Sequence, residues 1–391
     1  MRTCLSLSRL MSALLLALIC LSSARAADTT VGCPGGTPGA FTSVNAAIAS
    51  LPATGPNTIA ISGTCTENVI VANVNSLTLF GNPTATLQPA SANGRPLTIV
   101  IARGISINNL VLTGGRGVFV NDNSDVTFDT VTIQNSTGIG LTSIDSLAHI
   151  INSSVSNNTR SGISIGGGTF YLDSGVNVTN NGRVGVSALT AHLILNGGDG
   201  TPGTANVISH NAGVGVAVAN SAEADIGGDN QITSNGGAFG FEVLHTSSVI
   251  MSDGTISGNT GIGVHCGETS HCEWSGATQI NGNGGGGIEI TDHSDAYLDG
   301  GITISGNTGI GVLVDLSSVL NSLGGNTISN NTGDALVLNT LSVLKFAVPD
   351  TITATGTNLA LNCNNGSLVS GDITPYKPRK CGTQFQTTPI H

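Results

Sequence analysis

The chain has 391 residues and a net charge of −11, with 55 glycines, few aromatics and only 9% charged residues. A nucleic-acid binder needs a cationic face to displace counterions from phosphate, so no nucleic-acid partner is expected, and binding to an anionic membrane surface is disfavoured for the same reason. The shortage of cations is sharpest from 184 to 344, where no Lys or Arg occurs.

Residues 1–26 read as a signal peptide. Arg2 and Arg9 make a basic start, 10–21 are apolar, and Ala24-Arg25-Ala26 fits a small-x-small cleavage site before Ala27. The apolar run is too short for a permanent span, and no later stretch is long and apolar enough to be one. Without Arg2, Arg9 and Arg25 the net charge becomes −14. The expected location is extracellular, with the periplasm or cell surface included. Six cysteines remain: Cys33, Cys65, Cys266, Cys272, Cys363 and Cys381. Their clustering suggests pairing of Cys33 with Cys65, Cys266 with Cys272 and Cys363 with Cys381, although fifteen pairings are open to the sequence alone. Disulfides accord with export.

Residues 27–56 read as an N-terminal cap. Phe41, Val44, Ile48 and Leu51 fall on one helical face, with Thr42 or Ser43 at its start. The expected β-helix occupies 57–345. Within it an Asn recurs at 211, 235, 259, 283, 307 and 331, each 24 residues after the last, and Asn181 and Asn158 continue the series upstream. Gly follows four residues later at 162, 185, 215, 263, 287 and 311. One extra residue shifts it to Gly240, and Ala335 replaces it in the last clear coil. A short alternating strand comes next, as in Val216/Val218, Ile288/Ile290 and Val312/Val314. Two more strands complete each coil. Short Val/Ile strands joined by Gly/Asn turns at a fixed period predict an all-β fold, a right-handed, single-stranded parallel β-helix with a short N-terminal capping helix. The Asn column is expected to be a hydrogen-bonded ladder. Residues 346–391 lose the repeat and read as a C-terminal cap and tail.

The run Phe41-Thr-Ser-Val-Asn-Ala-Ala-Ile48, then Gly63-Thr-Cys-Thr-Glu-Asn-Val69 and Leu77-Thr-Leu-Phe-Gly81, resembles the opening of right-handed β-helix proteins of the pectin lyase-like superfamily. The resemblance spans 41 to about 344. It implies the fold, and it leaves the activity open among lyases, hydrolases, esterases, epimerases, tailspikes and adhesins. The polygalacturonase patterns Asn-Thr-Asp, Asp-Asp and Gly-His-Gly are absent, as are the epimerase pattern Tyr-Gly-Phe-Asp-Pro-His and the Gln-Asp and Arg signature of pectin methylesterases.

Six residues after each ladder position lies an outward slot between two apolar ones. Down the coils it reads Phe119, Thr142, Ser164, Ser187, Ala217, Glu242, His265, Glu289 and Leu313. Parallel rungs lie ~4.8 Å apart, so Glu242, His265 and Glu289 are candidate catalytic neighbours. Two carboxyl groups two rungs apart suit acid–base work on a glycosidic bond, and an intervening His can tune them. His245, Asp292, His293 and Asp315 in the following turns are candidate substrate-binding residues. Arg160 and Arg183 share a turn slot in adjacent coils and form a second candidate binding pair, suited to an anion between them. A further column, His149, Tyr171, His192 and Asp225, is expected on successive rungs of the next sheet.

Three motif matches are set aside. Gly162-Ile-Ser164-Ile-Gly166 fits a nucleophile elbow but has no helix after it. His265-Cys266 and His271-Cys272 have the composition of a zinc site, but alternation points the cysteines inward and the histidines outward. The glycines at 284–287 lack the Lys of a phosphate loop. No cofactor is expected, and calcium is a minor alternative at Asp225, Asp229, Asp253 or Asp299. Two readings follow: a secreted protein binding or cleaving an extracellular polysaccharide, or a non-catalytic structural or adhesive surface solenoid.

Overall fold

A computed structural model describes residues 27–52, 55–201, 203–371, 373–376 and 381–383. The expected signal peptide, and the C-terminal tail from 384, lie outside the described residues. The chain forms a parallel β-helix. One coil runs Gly254–Ser257, Ile262–Cys266 and His271–Ser275 before Gln279–Asn281 opens the next. Each strand pairs in parallel with its counterpart one coil on, giving three sheets. Sheet 1 contains Ile262–Cys266, sheet 2 His271–Ser275 and sheet 3 Gly254–Ser257.

The alternating sequence becomes an alternating section. Val264 and Cys266 point in and are fully buried, with His265 outward between them. Ile256, Ile280, Ile304 and Ile328 stack in sheet 3, all without exposure. Each such side chain contributes about 2–3 kcal/mol by leaving water.

The Asn column forms the expected ladder. Asn235 Nδ2 donates to Asn259 Oδ1 at 3.1 Å, Asn259 to Asn283 at 2.9 Å, and Asn283 to Asn307 at 3.0 Å. Each amide also donates to a strand carbonyl of the coil behind, and each backbone N–H donates to the next Oδ1, as from Asn259 to Asn283 at 3.1 Å. Ser136 enters the ladder by donating its N–H to Asn158 Oδ1.

The turn beside the ladder divides its labour in a way the repeat did not reveal. The left-handed backbone falls one residue before the Asn, at Asn180, His210, Ser234 and Gly258, with φ of 57°, 55°, 56° and 62°. The Gly four residues after it serves space instead. A Cβ on Gly263 would stand 2.7 Å from Gly287 O, Asn283 Nδ2 and Ile280 Cγ2.

At the N-terminal end the helix Val44–Ser50 buries Val44 and Ala47 over the first coils. Ser43 is its N-cap, accepting from the Ala46 amide at 3.2 Å. The Glu67 carboxylate accepts the Val44 and Asn45 amides at 2.6 and 3.2 Å, a favourable placement of charge at a helix start. Ala27–Gly32 precedes the helix and pairs with Asn57–Ser62, adding a rung to sheet 2. At the other end, Leu361–Cys363 and Leu368–Ser370 continue sheets 1 and 2 past residue 345. The three disulfides join Cys33 to Cys65, Cys266 to Cys272 and Cys363 to Cys381, the pairs that the clustering suggested.

Candidate functional site

Sheet 1 places the outward column in the expected register. Ala217, Glu242, His265, Glu289 and Leu313 are successive partners, so the extra residue before Gly240 is absorbed without a slip. The flanking Phe241, Val243, Ile288 and Ile290 are buried, which fixes the three polar side chains on one face.

That setting pushes all three toward their neutral forms. Burial raises the Glu242 carboxyl above its usual range, helped by Glu268 and opposed by His245. Burial likewise raises Glu289, and here Asp315 and Asp292 both add to the rise. Burial lowers His265, against the pull of Asp292 and Glu268. Neither the Glu242 nor the Glu289 side chain makes a hydrogen bond among the described residues.

His265 is held in place. Its ring stacks on Phe239 with centroids 4.4 Å apart and planes 17° from parallel. Its Nε2 meets Thr291 Oγ1 at 3.3 Å, and Thr291 donates to Asp292 Oδ2 at 3.1 Å. That direction puts the proton of the neutral ring on Nε2 and leaves Nδ1 a buried acceptor with no partner. With Nδ1 buried and unpartnered, that nitrogen offers no path for a proton.

The turn leaving sheet 1 carries the remaining polar groups. His245, Glu268 and Asp292 occupy equivalent places in three coils, and with Thr246, Thr269 and His293 they line a shallow, open depression. His245 Nε2 pairs with Glu268 Oε2 at 2.6 Å. The Cys266–Cys272 disulfide closes the turn bearing Glu268. Both residues of each turn are left-handed: His245 and Thr246 at 55° and 58°, Glu268 and Thr269 at 56° and 61°, Asp292 and His293 at 54° and 62°. The same pair recurs at Asn220–Ser221 and Thr340–Leu341, outside the acidic cluster. It is a device of the coil, secured by bonds such as Thr246 N to Glu268 O at 3.0 Å, and not strain reserved for a site.

Of the candidate residues, Glu242, His265, Glu289, His245, Asp292, His293 and Asp315 come together around these coils. Asp315 accepts the Leu316 amide and faces Glu289. Arg160 and Arg183 do not join them. They lie in the turn entering sheet 1, three rungs and two rungs before Glu242, and both are exposed. Sequence reasoning missed Glu268, Thr291 and Phe239. Glu268 was within reach, since it lies three residues after His265, as His245 lies three after Glu242.

The column on sheet 2 needs a correction. Tyr171 pairs with His149 and with Ile194, while His192 pairs with Thr169 and Glu223. His192 lies five residues after Ser187 and Tyr171 seven after Ser164. Both point outward, but in neighbouring columns. His149 and Tyr171 stack with centroids 4.1 Å apart. His192 reaches Asp225 diagonally, Nε2 to Oδ2 at 2.9 Å. With Glu223 these two present ligand atoms within 4.8 Å of one another, the one described cluster able to hold a metal ion. Cys266 and Cys272 are buried and oxidised, so they are no zinc ligands. Asp229 and Asp253 share a cavity with Asp199, beside the longer 30-residue coil.

No family model and no curated protein matches the chain. Solved structures do. The A-module of the Azotobacter vinelandii mannuronan C-5 epimerase AlgE4 is 17% identical over 84% of this chain and 95% of its own, with a TM-score of 0.48. Pectate lyase Pel9A is 12% identical over 86% and 80%, with a TM-score of 0.34. An alginate lyase from Paenibacillus is 14% identical over 82% and 99%, with a TM-score of 0.31. The fold itself, a parallel β-helix, stands on the strand pairing of this chain. At these identities the likeness assigns no chemistry to it. Among the described residues, no helix is long and apolar enough to cross a membrane.

Proposed function

We propose that this is a secreted β-helix protein that engages an extracellular polysaccharide along the outer face of sheet 1 and cleaves a glycosidic bond there. One observation carries the reading: Glu242, His265 and Glu289 occupy consecutive rungs, and each is pushed toward its neutral form. Perturbed neighbours of this kind mark sites of proton transfer more often than plain surface. The anchors of the two carboxyl groups lie ~10 Å apart, which suits the wider spacing used when water attacks directly.

The roles follow from the surroundings. Burial and two neighbouring acids, Asp315 and Asp292, all raise the Glu289 carboxyl, so of the two it is the better placed to serve as the general acid. Glu242 has His245 drawing it toward ionisation, so it serves as the base. Glu289 gives its proton to the leaving glycosidic oxygen, water attacks the anomeric carbon, and Glu242 takes the proton of that water. Exchange with solvent restores both groups. The three disulfides accord with an oxidising compartment outside the cytoplasm.

The test is turnover of a panel of plant, algal and bacterial polysaccharides by the mature protein and by the Glu242→Gln/Glu289→Gln double variant. Product release that falls by at least about a hundredfold in the variant supports the pair. Unchanged turnover would move the site, with His149, Tyr171 and Asp225 next in line. No turnover of any glycan would favour the second reading, a non-catalytic adhesive or structural solenoid. That reading is supported by the two-residue turns at His245–Thr246, Glu268–Thr269 and Asp292–His293, which build no wall beside the column.

A further inference from the structure

The few cations of this acidic chain are not spread evenly. Arg95, Arg116 and Arg160 line a single cavity of about 270 Å³ with Asn93, Thr137 and Thr142. No carboxylate lines it. Among the described residues every ion pair joins a His to an acid, so none of these arginines has an anionic partner. Arg95 is braced in place: its guanidinium lies 4.7 Å over the Phe119 ring, and Nη1 donates to the carbonyls of Arg116 and Gly117 at 3.2 and 3.3 Å. Burial and the neighbouring Arg116 both work against its charge. Holding three like charges around one cavity with no counter-charge is unfavourable until an anion enters.

The cavity opens on the face already described. Thr142 belongs to the same outward column as Glu242, and four rung steps separate them through Ser164, Ser187 and Ala217, or ~19 Å. Beyond those steps the face turns acidic, with Glu242, Glu268, Glu289, Asp292 and Asp315, and a polymer bearing a carboxylate on every residue would be repelled there.

We infer that the Arg95–Arg116–Arg160 cavity binds an oxyanion substituent, a carboxylate or sulfate half-ester, carried by a glycan that is neutral where it passes Glu242 and Glu289. This rests on the proposed glycan engagement, and it narrows the substrate to a heteroglycan with sparse anionic groups. Planar guanidinium forks suit both oxyanions, and the exposed Arg116 and Arg160 offer their donors to the ligand while Arg95 Nη1 is engaged by the Arg116 and Gly117 carbonyls.

The experiment is calorimetric titration of the mature protein with methyl glucuronide, with glucose 6-sulfate and with methyl glucoside. Wild type should bind at least one anionic sugar about tenfold or more tighter than the glucoside, with the stronger of the two naming the source of the oxyanion. Arg116→Gln/Arg160→Gln should abolish that preference, whereas Arg183→Gln should keep it. Both substitutions sit on exposed turns, so far-ultraviolet circular dichroism will verify the fold. Equal binding of all three sugars, or a preference that survives in Arg116→Gln/Arg160→Gln, overturns the inference. An oligogalacturonate long enough to reach Glu242 should gain less than about tenfold over methyl glucuronide; a larger gain overturns the sparse-charge part. The Glu242→Gln/Glu289→Gln variant should bind the anionic sugar as wild type does. If it does so while no polymer is cleaved, the cavity stands and the cleavage falls. If a neutral polymer is cleaved and the arginine variants change nothing, the reverse holds.

Discussion

Two stretches of sheet 1 share one frame and differ in everything that faces water. The rungs of Thr142, Ser164 and Ser187 and those of Glu242, His265 and Glu289 have the same inward alternation, the same ladder beside them, with Ser136 in place of Asn in the Thr142 coil, and the same Gly entering the strand. The first group presents hydroxyls bordered by Arg116 and Arg160, the second acids and imidazole bordered by more acids. A solenoid coil meets only its neighbours, so an outward residue can change without disturbing the stack, while an inward one cannot. Frame and chemistry are therefore separable along this chain, and substitutions should reveal the separation.

The largest effect should come from the frame. Asn259→Leu removes the bonds to Asn283 Oδ1 and Ile232 O and strips the Asn235 amide of its acceptor. A loss on the order of 3 kcal/mol or more is expected, read from the shift in urea midpoint. If Asn259→Leu is no less stable than wild type, the ladder is not what holds the coils. Gly263→Ala should follow with a loss of about 1–3 kcal/mol, because its Cβ meets the backbone oxygen of Gly287 and two buried side chains. The same substitution at Gly282, which has open space around it, tests only the cost of a left-handed backbone, and about 1 kcal/mol is expected.

The face should respond in the opposite sense. Glu242 and Glu289 have raised carboxyl pKa values in the folded chain, against 4.5 for the free group. Between 4.5 and the folded value the unfolded chain gives up a proton that the folded chain keeps. Stability should thus be fullest below pH 4.5 and fall as pH rises through that window. Glu242→Gln/Glu289→Gln should remove this decline and be slightly more stable than wild type at pH 7, by melting temperature, while losing turnover. A double variant that melts well below wild type would show that these carboxyl groups belong to the frame, and the comparison of the two stretches would break. His265 runs the other way. Its pKa is lowered from 6.5, so its contribution is present above that value and is lost as pH falls through the folded pKa.

The period of 24 was enough to place Glu242, His265 and Glu289 on one face, even across the insertion before Gly240, because strand alternation is strict wherever one side is buried. The same counting failed at His192, where an error of two residues kept the side chain outward and moved it one column over. It was silent on the left-handed pairs such as Thr246, Thr269 and Leu341, since their residue types disfavour that backbone and only bonds from the next coil hold them there. Arg95 was missed because it lies in an irregular coil with no ladder residue to count from.

What the sequence by itself determined was everything that repeats: the coil, its inward columns and the Asn ladder. These follow from local pattern, because each coil needs only its neighbours to bury its apolar side. What only the tertiary structure decided was which groups from different coils share a microenvironment. Burial raises Glu242 and Glu289, Thr291 and Phe239 hold His265, and Phe119 and two carbonyls brace Arg95 beside Arg116 and Arg160. Desolvation and charge proximity are properties of the assembled surface, and no single coil contains them.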